Sequence, residues 1–180
     1  SFNMENIRSN GVQIELKKGN IVNQPDCDAI VNAANAELRI GGGVAGAIHS
    51  AAGAGLEQET RPLAPIKPGE AVITGGHQLP NPHIIHCLGP VYGRDKPEDK
   101  LLSNCYSNAI DIAEENNLTS IAFPAISTGA FGYPMEDAAR VALSIIKSAT
   151  PNCDSVFVIR FVLFDKRSLD VHKKVAEEVF

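Results

Sequence analysis

The sequence predicts a three-layer α/β domain that takes up the whole chain of 180 residues. Short apolar segments typical of buried strands alternate with segments of helical period, which is the pattern of helices packed on both faces of a sheet. No repeat, low-complexity tract or linker divides the chain, so we expect residues 1–180 to form one domain. Ser1, Phe2 and Asn3, which precede Met4, are interpreted as a remnant of cloning and set aside.

Six segments have the character of strands. Residues 12–16 alternate strictly between apolar and polar, which predicts a half-buried strand, whereas residues 29–31 are apolar throughout, which predicts a central one. The predicted strands are residues 12–16, 29–31, 70–74, 83–88, 120–124 and 156–164.

Five segments have the character of helices. Residues 97–116 and 135–148 carry apolar side chains at helical spacing, and Pro134 occupies a position that favours a helix start. Residues 43–53 are small and free of proline, and glycine ends them. The predicted helices are residues 43–53, 56–61, 97–116, 135–148 and 167–180.

Composition limits the classes of function. The formal net charge of −5 argues against nonspecific binding to a nucleic-acid backbone. No apolar run approaches the roughly 18 residues of a membrane span, and the first residues lack the basic-then-apolar pattern of a secretory leader. The four cysteines are widely spaced, so we expect reduced thiols in a cytoplasmic protein.

Residues 29–53 contain the main motif that predicts a ligand-binding site. A strand is followed by two amides, Asn32 and Asn35, then by three consecutive glycines and a helix start. Free backbone N–H groups and the helix dipole make such a start an anion site, and glycine lets a phosphate approach closely. A nicotinamide-binding fingerprint also fits the glycines, but residues 35–40 separate them from the strand. A turn without a ligand is the remaining alternative.

A second glycine- and serine-rich loop covers residues 127–132 and follows a buried strand. Loops beyond the carboxyl ends of strands are where α/β folds bind ligands, so this loop is a second anion site. Ser127 lacks the Gly-x-Ser-x-Gly surroundings of a hydrolase nucleophile. His83 and His86 are predicted to face opposite sides of a strand, and we expect no metal and no cofactor.

These motifs resemble the macrodomain family along nearly the whole chain. The segments VNAAN at 31–35, GGGVAGAI at 41–48, GEAVIT at 69–74, HCLGP at 86–90 and FPAISTGAFGYP at 123–134 come in the family's order. The resemblance implies an α/β/α sandwich around a mostly parallel, mixed sheet of six strands. It also implies that the ligand is ADP-ribose or an ADP-ribosylated protein, bound by a monomer.

The resemblance assigns roles to individual residues. Asn35 is expected to bind the distal ribose and, with the backbone of Gly43, to act in catalysis, while Asn32 has mainly a structural role within the site. Adenine is expected to lie at the ends of the first and last predicted strands, where Asn20 replaces the Asp of many members. The other expected binding residues are Ile21, Gly42, Val44, Ala45, Ser127, Thr128, Gly129, Ala130, Phe131, Phe164 and Asp165.

Ala45 is the main departure from the hydrolase branch of the family, which has Asp there. A methyl group cannot act as a general base. The loop instead resembles viral macrodomains reading GGGVAGA, which implies hydrolysis of mono-ADP-ribose on Asp or Glu, and of O-acetyl-ADP-ribose, through a water positioned on the distal ribose. The alternatives are a module that binds ADP-ribose without cleaving it and, less in keeping with the charge, a nucleic-acid binder.

Overall fold

The computed structural model describes residues 5–180, and the interpretation of Ser1–Asn3 lies outside them. One sheet of seven strands runs through the molecule in the order β1-β2-β7-β6-β3-β5-β4. The strands are β1 (Asn6–Ser9), β2 (Val12–Lys18), β3 (Ala29–Ala33), β4 (Ala71–Gly75), β5 (His83–Cys87), β6 (Ser120–Phe123) and β7 (Val158–Leu163).

The mixed, mostly parallel α/β sandwich is confirmed, but the expected count of six strands was wrong. The extra strand is β1, which pairs antiparallel with β2 at the edge of the sheet. The other antiparallel pair is β4 with β5, whereas β2–β7, β7–β6, β6–β3 and β3–β5 are parallel. The carboxyl ends of β2, β7, β6, β3 and β5 therefore meet at one edge of the sheet.

Five α-helices among residues 5–180 cover the two faces of the sheet. They are α1 (Gly43–Ala52), α2 (Gly55–Thr60), α3 (Glu98–Glu115), α4 (Met135–Ala149) and α5 (Lys166–Val179). The alternation of side chains along β3 shows how the core is divided between the faces. Ala29 and Val31 join the core under α3, α4 and α5, while Ile30 joins the core under α1 and α2.

The predicted boundaries shifted by one or two residues at most elements. β2 and β3 each extend two residues further than predicted, and β3 continues through Asn32 to Ala33, so Asn32 belongs to the strand rather than to the loop after it. The last strand ends at Leu163, which leaves Phe164 and Asp165 at the start of the connection to α5. Within residues 5–180, no helix is long and apolar enough to cross a membrane.

Candidate functional site

The amide of Asn35 closes the loop after β3. Its Nδ2 donates to the carbonyl of Arg39 at 2.8 Å, and its Oδ1 accepts from the backbone N–H of Arg39 at 2.9 Å. Leu38 anchors the same loop, because its side chain is fully buried and its carbonyl accepts from the Thr60 hydroxyl at 2.8 Å. The two bonds use one N–H and one lone pair of the Asn35 amide, so one donor and one acceptor remain in a fixed orientation.

Asn32 lies in the interior, under α1. Its Nδ2 donates to Nδ1 of His86 at 3.0 Å, and Nε2 of His86 donates to the Thr74 hydroxyl at 2.9 Å, which donates in turn to the Gly75 carbonyl. Burial lowers the pKa of His86 to about 3, so the ring is neutral, which matches these bonds. Asn32 is fully buried, and its Oδ1 has no partner among the described residues.

A second histidine of this layer, His49, faces the interior from α1. It is buried, its ring centre lies 6.4 Å from that of His86, and burial lowers its pKa. A buried neutral ring here packs against the sheet, away from the exposed glycines at the start of α1.

The start of α1 presents backbone donors to solvent. Gly41, Gly42 and Gly43 are exposed, no side chain caps the helix, and its first turn has no acidic residue. The N–H groups of the first turn therefore remain free for an anion. Gly43 has a φ of +55°, which favours glycine, and a Cβ on Gly46 would lie 2.4 Å from the Gly41 carbonyl oxygen.

The methyl group of Ala45 lies beneath this loop. Ala45 is buried, and its Cβ is 3.8 Å from the position of an ideal Cβ on Gly41. The structure thus places Ala45 directly under the glycines. Val44, half-buried beside it, packs on the core under α1.

The second loop turns its hydroxyl groups inward. Ser127 Oγ donates to the Pro90 carbonyl at 2.8 Å, and Thr128 Oγ1 donates to the Ala125 carbonyl at 2.8 Å. Ser127 has a φ of +68° and is buried. A hydroxyl bound to a carbonyl in the interior has no base to activate it, so Ser127 is not arranged as a nucleophile.

Backbone groups of that loop remain available. Gly129 and Ala130 are exposed, and within residues 5–180 the N–H groups of Gly129, Ala130 and Phe131 have no hydrogen-bond partner. Phe131 packs against the small cluster formed by Ala34, Leu38, Ile66 and Leu88, and so joins the second loop to the loop after β3. Since β3 and β6 are neighbouring parallel strands, the two loops that carry the free donors leave the sheet at the same carboxyl edge.

The far end of the edge holds an exposed aromatic ring. The N–H of Gly19 donates to the Leu163 carbonyl at 2.9 Å, which brings Asn20 and Phe164 together where β2 and β7 end. Phe164 is 89% exposed, and Ile21, which follows Asn20, is buried. Asp165 caps α5 by accepting from the Ser168 N–H at 2.8 Å, and this bond lowers its pKa.

Arg160 is a residue of this end that the sequence reasoning missed. It lies on β7 with only 7% of its surface exposed and donates to Glu15, to Gln24 and twice to Asp26. These bonds fix the irregular segment after β2, which carries Asn20 and Ile21. The available signal was one arginine inside an otherwise apolar strand, because a buried cation requires partners.

Comparisons with known proteins agree with this geometry. Residues 31–142 match the model of the Macro domain. A Macro domain-containing protein of Caldanaerobacter subterraneus is 44% identical over 93% of this chain and 97% of its own length. The ADP-ribose glycohydrolase MACROD2 of Xenopus laevis is 42% identical over 93% of this chain, which spans 41% of that relative. The Oceanobacillus iheyensis macrodomain with ADP superposes with a TM-score of 0.90 at 38% identity, covering 96% of this chain and 94% of that one.

Proposed function

The chain belongs to the Macro domain family, and from that premise we propose that it binds ADP-ribose along the carboxyl edge of its sheet. We further propose that it hydrolyses mono-ADP-ribose esters of Asp and Glu side chains, with O-acetyl-ADP-ribose as a further substrate. The observation that carries the proposal is the pair of neighbouring backbone donor sets, one at the start of α1 and one in residues 127–132. A diphosphate bears two adjacent negative charges, and two adjacent sets of N–H groups match it.

The order of strands supports the arrangement of the rest of the ligand. Along the edge, β2 and β7 come first, then β6, then β3. Adenine lies on the exposed ring of Phe164, the diphosphate on the two donor sets, and the distal ribose between Asn35 and Phe131. The fixed donor and acceptor of Asn35 suit a sugar diol, and their fixed orientation reduces the entropy lost on binding.

Hydrolysis needs little acid–base help for an ester of Asp or Glu. The bond from the distal ribose C1″ to the carboxylate oxygen breaks, the water oxygen bonds to C1″, and the leaving group departs as a carboxylate whose pKa is about 4. The proton of the water passes to a phosphate oxygen or to solvent. Asn35, the backbone of Gly42 and Gly43, and the ligand's own phosphate hold the water, which is catalysis by positioning and electrostatics.

The competing function is an ADP-ribose reader, and Ala45 is the observation that favours it. A methyl group under the glycine loop supplies no general base. In this alternative the chain binds the nucleotide with the same groups but leaves the ester intact. That the protein acts in the cytoplasm and as a monomer remains an expectation from the sequence.

Turnover of a protein that carries ester-linked mono-ADP-ribose separates these functions. Released ADP-ribose is measured by mass spectrometry for the wild type, for Asn35→Ala, and for Asn152→Ala as a control at the opposite end of the sheet. Release by the wild type and the control, but not by Asn35→Ala, supports the hydrolase. Binding of ADP-ribose without release by any of them supports the reader, and absence of binding contradicts both.

A further inference from the structure

The side-chain amide of Asn20 lies at the end of the sheet that also carries the exposed ring of Phe164. Asn20 follows β2 directly after Gly19, whose N–H is bonded to the last carbonyl of β7. Both Asn20 and Phe164 are exposed at this point. A base that stacks on Phe164 at this edge would therefore present its own edge to Asn20.

A hydrogen bond determines which way the Asn20 amide points. The backbone N–H of Val22 donates to Oδ1 of Asn20 at 3.1 Å. A backbone N–H only donates, so the atom that it meets must be the amide oxygen, and Nδ2 is the atom left over. In the described part of the chain, neither Nδ2 of Asn20 nor the N–H of Ile21 has a hydrogen-bond partner.

The backbone of Asn20 is fixed from behind. Its carbonyl accepts from the Asn23 N–H and from Nε2 of Gln24, each at 2.9 Å. Oε1 of Gln24 accepts from Nη1 of Arg160 at 2.9 Å, and Arg160 grips Asp26 with bonds of 2.8 and 2.7 Å. The amide of Asn20 is thus presented by a rigid segment rather than by a free loop.

Adenine and hypoxanthine differ at the edge that such a group reads. Adenine carries an amine at C6, which donates, and hypoxanthine carries a carbonyl there, which accepts. A carboxylate only accepts, so it bonds the amine and repels the carbonyl, whereas an amide bonds either. Oδ1 of Asn20 keeps one lone pair after it accepts from Val22, and Nδ2 keeps its N–H groups, so the amide can accept from the adenine amine or donate to the hypoxanthine carbonyl.

We propose that this site accepts hypoxanthine nucleotides nearly as well as adenine nucleotides, and that Asn20 is the residue that weakens the discrimination between the two bases. The inference rests on the proposed function, because it needs the base to lie against Phe164. The ligand class widens accordingly from ADP-ribose to purine diphosphate riboses with either a 6-amino or a 6-oxo group.

Isothermal titration calorimetry with ADP and IDP tests the proposal. The proteins are the wild type, Asn20→Asp, and Asn152→Asp, which makes the same charge change beyond α4 at the other end of the sheet. An aspartate at position 20 can still accept from the Val22 N–H, so the turn is preserved. Thermal melts verify that each variant is folded.

The expected result is a wild-type preference for ADP over IDP of less than about fivefold, and a preference in Asn20→Asp that is at least about tenfold larger, because the carboxylate loses a hydrogen bond to the carbonyl and gains a charged one to the amine. The control keeps the wild-type ratio. A wild-type preference above fivefold, or an equal ratio in Asn20→Asp, overturns the inference while the proposed function stands. If neither nucleotide nor ADP-ribose binds the folded wild type, the proposed function is overturned as well.

Discussion

Gly46→Ala tests whether the exact height of the glycine loop above α1 controls ligand binding. A Cβ at position 46 would lie 2.4 Å from the Gly41 carbonyl oxygen, although ordinary contacts begin at 3.4 Å. The loop of Gly41, Gly42 and Gly43 must therefore rise by about 1 Å, since a close-packed backbone atom has no other means of relief. The free N–H groups beneath the proposed diphosphate would move with it.

The change should affect binding more than stability. The displaced donors should lose about one hydrogen bond to the charged diphosphate, so we expect the Kd for ADP-ribose to rise by about 10- to 100-fold, or about 1.4–2.7 kcal/mol. Alanine in a helix gains up to about 1 kcal/mol over glycine, which offsets part of the roughly 1–3 kcal/mol cost of overpacking. The free energy of unfolding should fall by no more than about 2 kcal/mol.

The assays are calorimetric titration with ADP-ribose and urea unfolding followed by circular dichroism. Gly75→Ala is the matched control, because the same added methyl group would meet its nearest atom, Glu59 Oε1, at an ordinary 3.6 Å at the far edge of the sheet. If folded Gly46→Ala binds ADP-ribose within about threefold of the wild type, the loop height does not control binding and the reasoning fails.

Three further results follow from the structure. Ala45→Asp places a carboxylate under the glycine loop and should raise ester turnover by about 10- to 100-fold if a base is what the site lacks; unchanged single-turnover rates would contradict this. In the folded protein, burial lowers the pKa of His86 to about 3. Below about pH 6.5 the unfolded state therefore binds more protons at this residue than the folded state does. The free energy of unfolding should fall by up to about 1.4 kcal/mol for each pH unit down to about pH 4. In urea titrations at several pH values, His86→Gln should reduce the pH dependence of the unfolding free energy by an amount that corresponds to nearly one proton. The same pH dependence in the wild type and the variant would refute the low pKa assigned to His86. Arg160→Met leaves the part-buried Glu15 and the largely exposed Asp26 without their cation and should cost about 1–3 kcal/mol of unfolding free energy while weakening ADP binding. A loss of stability with unaltered affinity would show that Arg160 does not position the segment that binds the base.

The sequence predicted the order of helices and strands because period and apolar runs are local properties. β1 was missed because Asn6–Ser9 has only one large apolar side chain, Ile7, and gains its partners from pairing with β2. The boundary of β3 was set two residues too early for a similar reason. Asn32 and Ala33 look like the start of a turn, but they pair with His86 and Cys87 of β5, a contact between distant parts of the chain.

The candidate site was predictable in its backbone and less so in its side chains. Glycine runs at the ends of apolar strands indicate free N–H groups whatever the neighbours are. The roles of Asn20, Asn35 and Arg160 depend on bonds to Val22, Arg39 and Asp26, and only coordinates reveal which atoms those bonds occupy. The sequence shows every donor and acceptor that a polar side chain carries. In the folded protein, only the donors and acceptors that are not bonded to neighbouring residues are free to bind a ligand.

The groups around the proposed diphosphate and distal ribose constrain the chemistry that the site can support. The phosphate donors are backbone groups, the hydroxyls of Ser127 and Thr128 are committed to carbonyls, and position 45 is a methyl group. No acid in this set can protonate a leaving group. A carboxylate, with a pKa near about 4, leaves without protonation, whereas a guanidine or amine, with a pKa above about 10, does not. We therefore expect turnover of acyl-linked ADP-ribose and no turnover of ADP-ribose on arginine or lysine. Release of ADP-ribose from an arginine-linked substrate would contradict this expectation, because it would require an acid outside this set of residues.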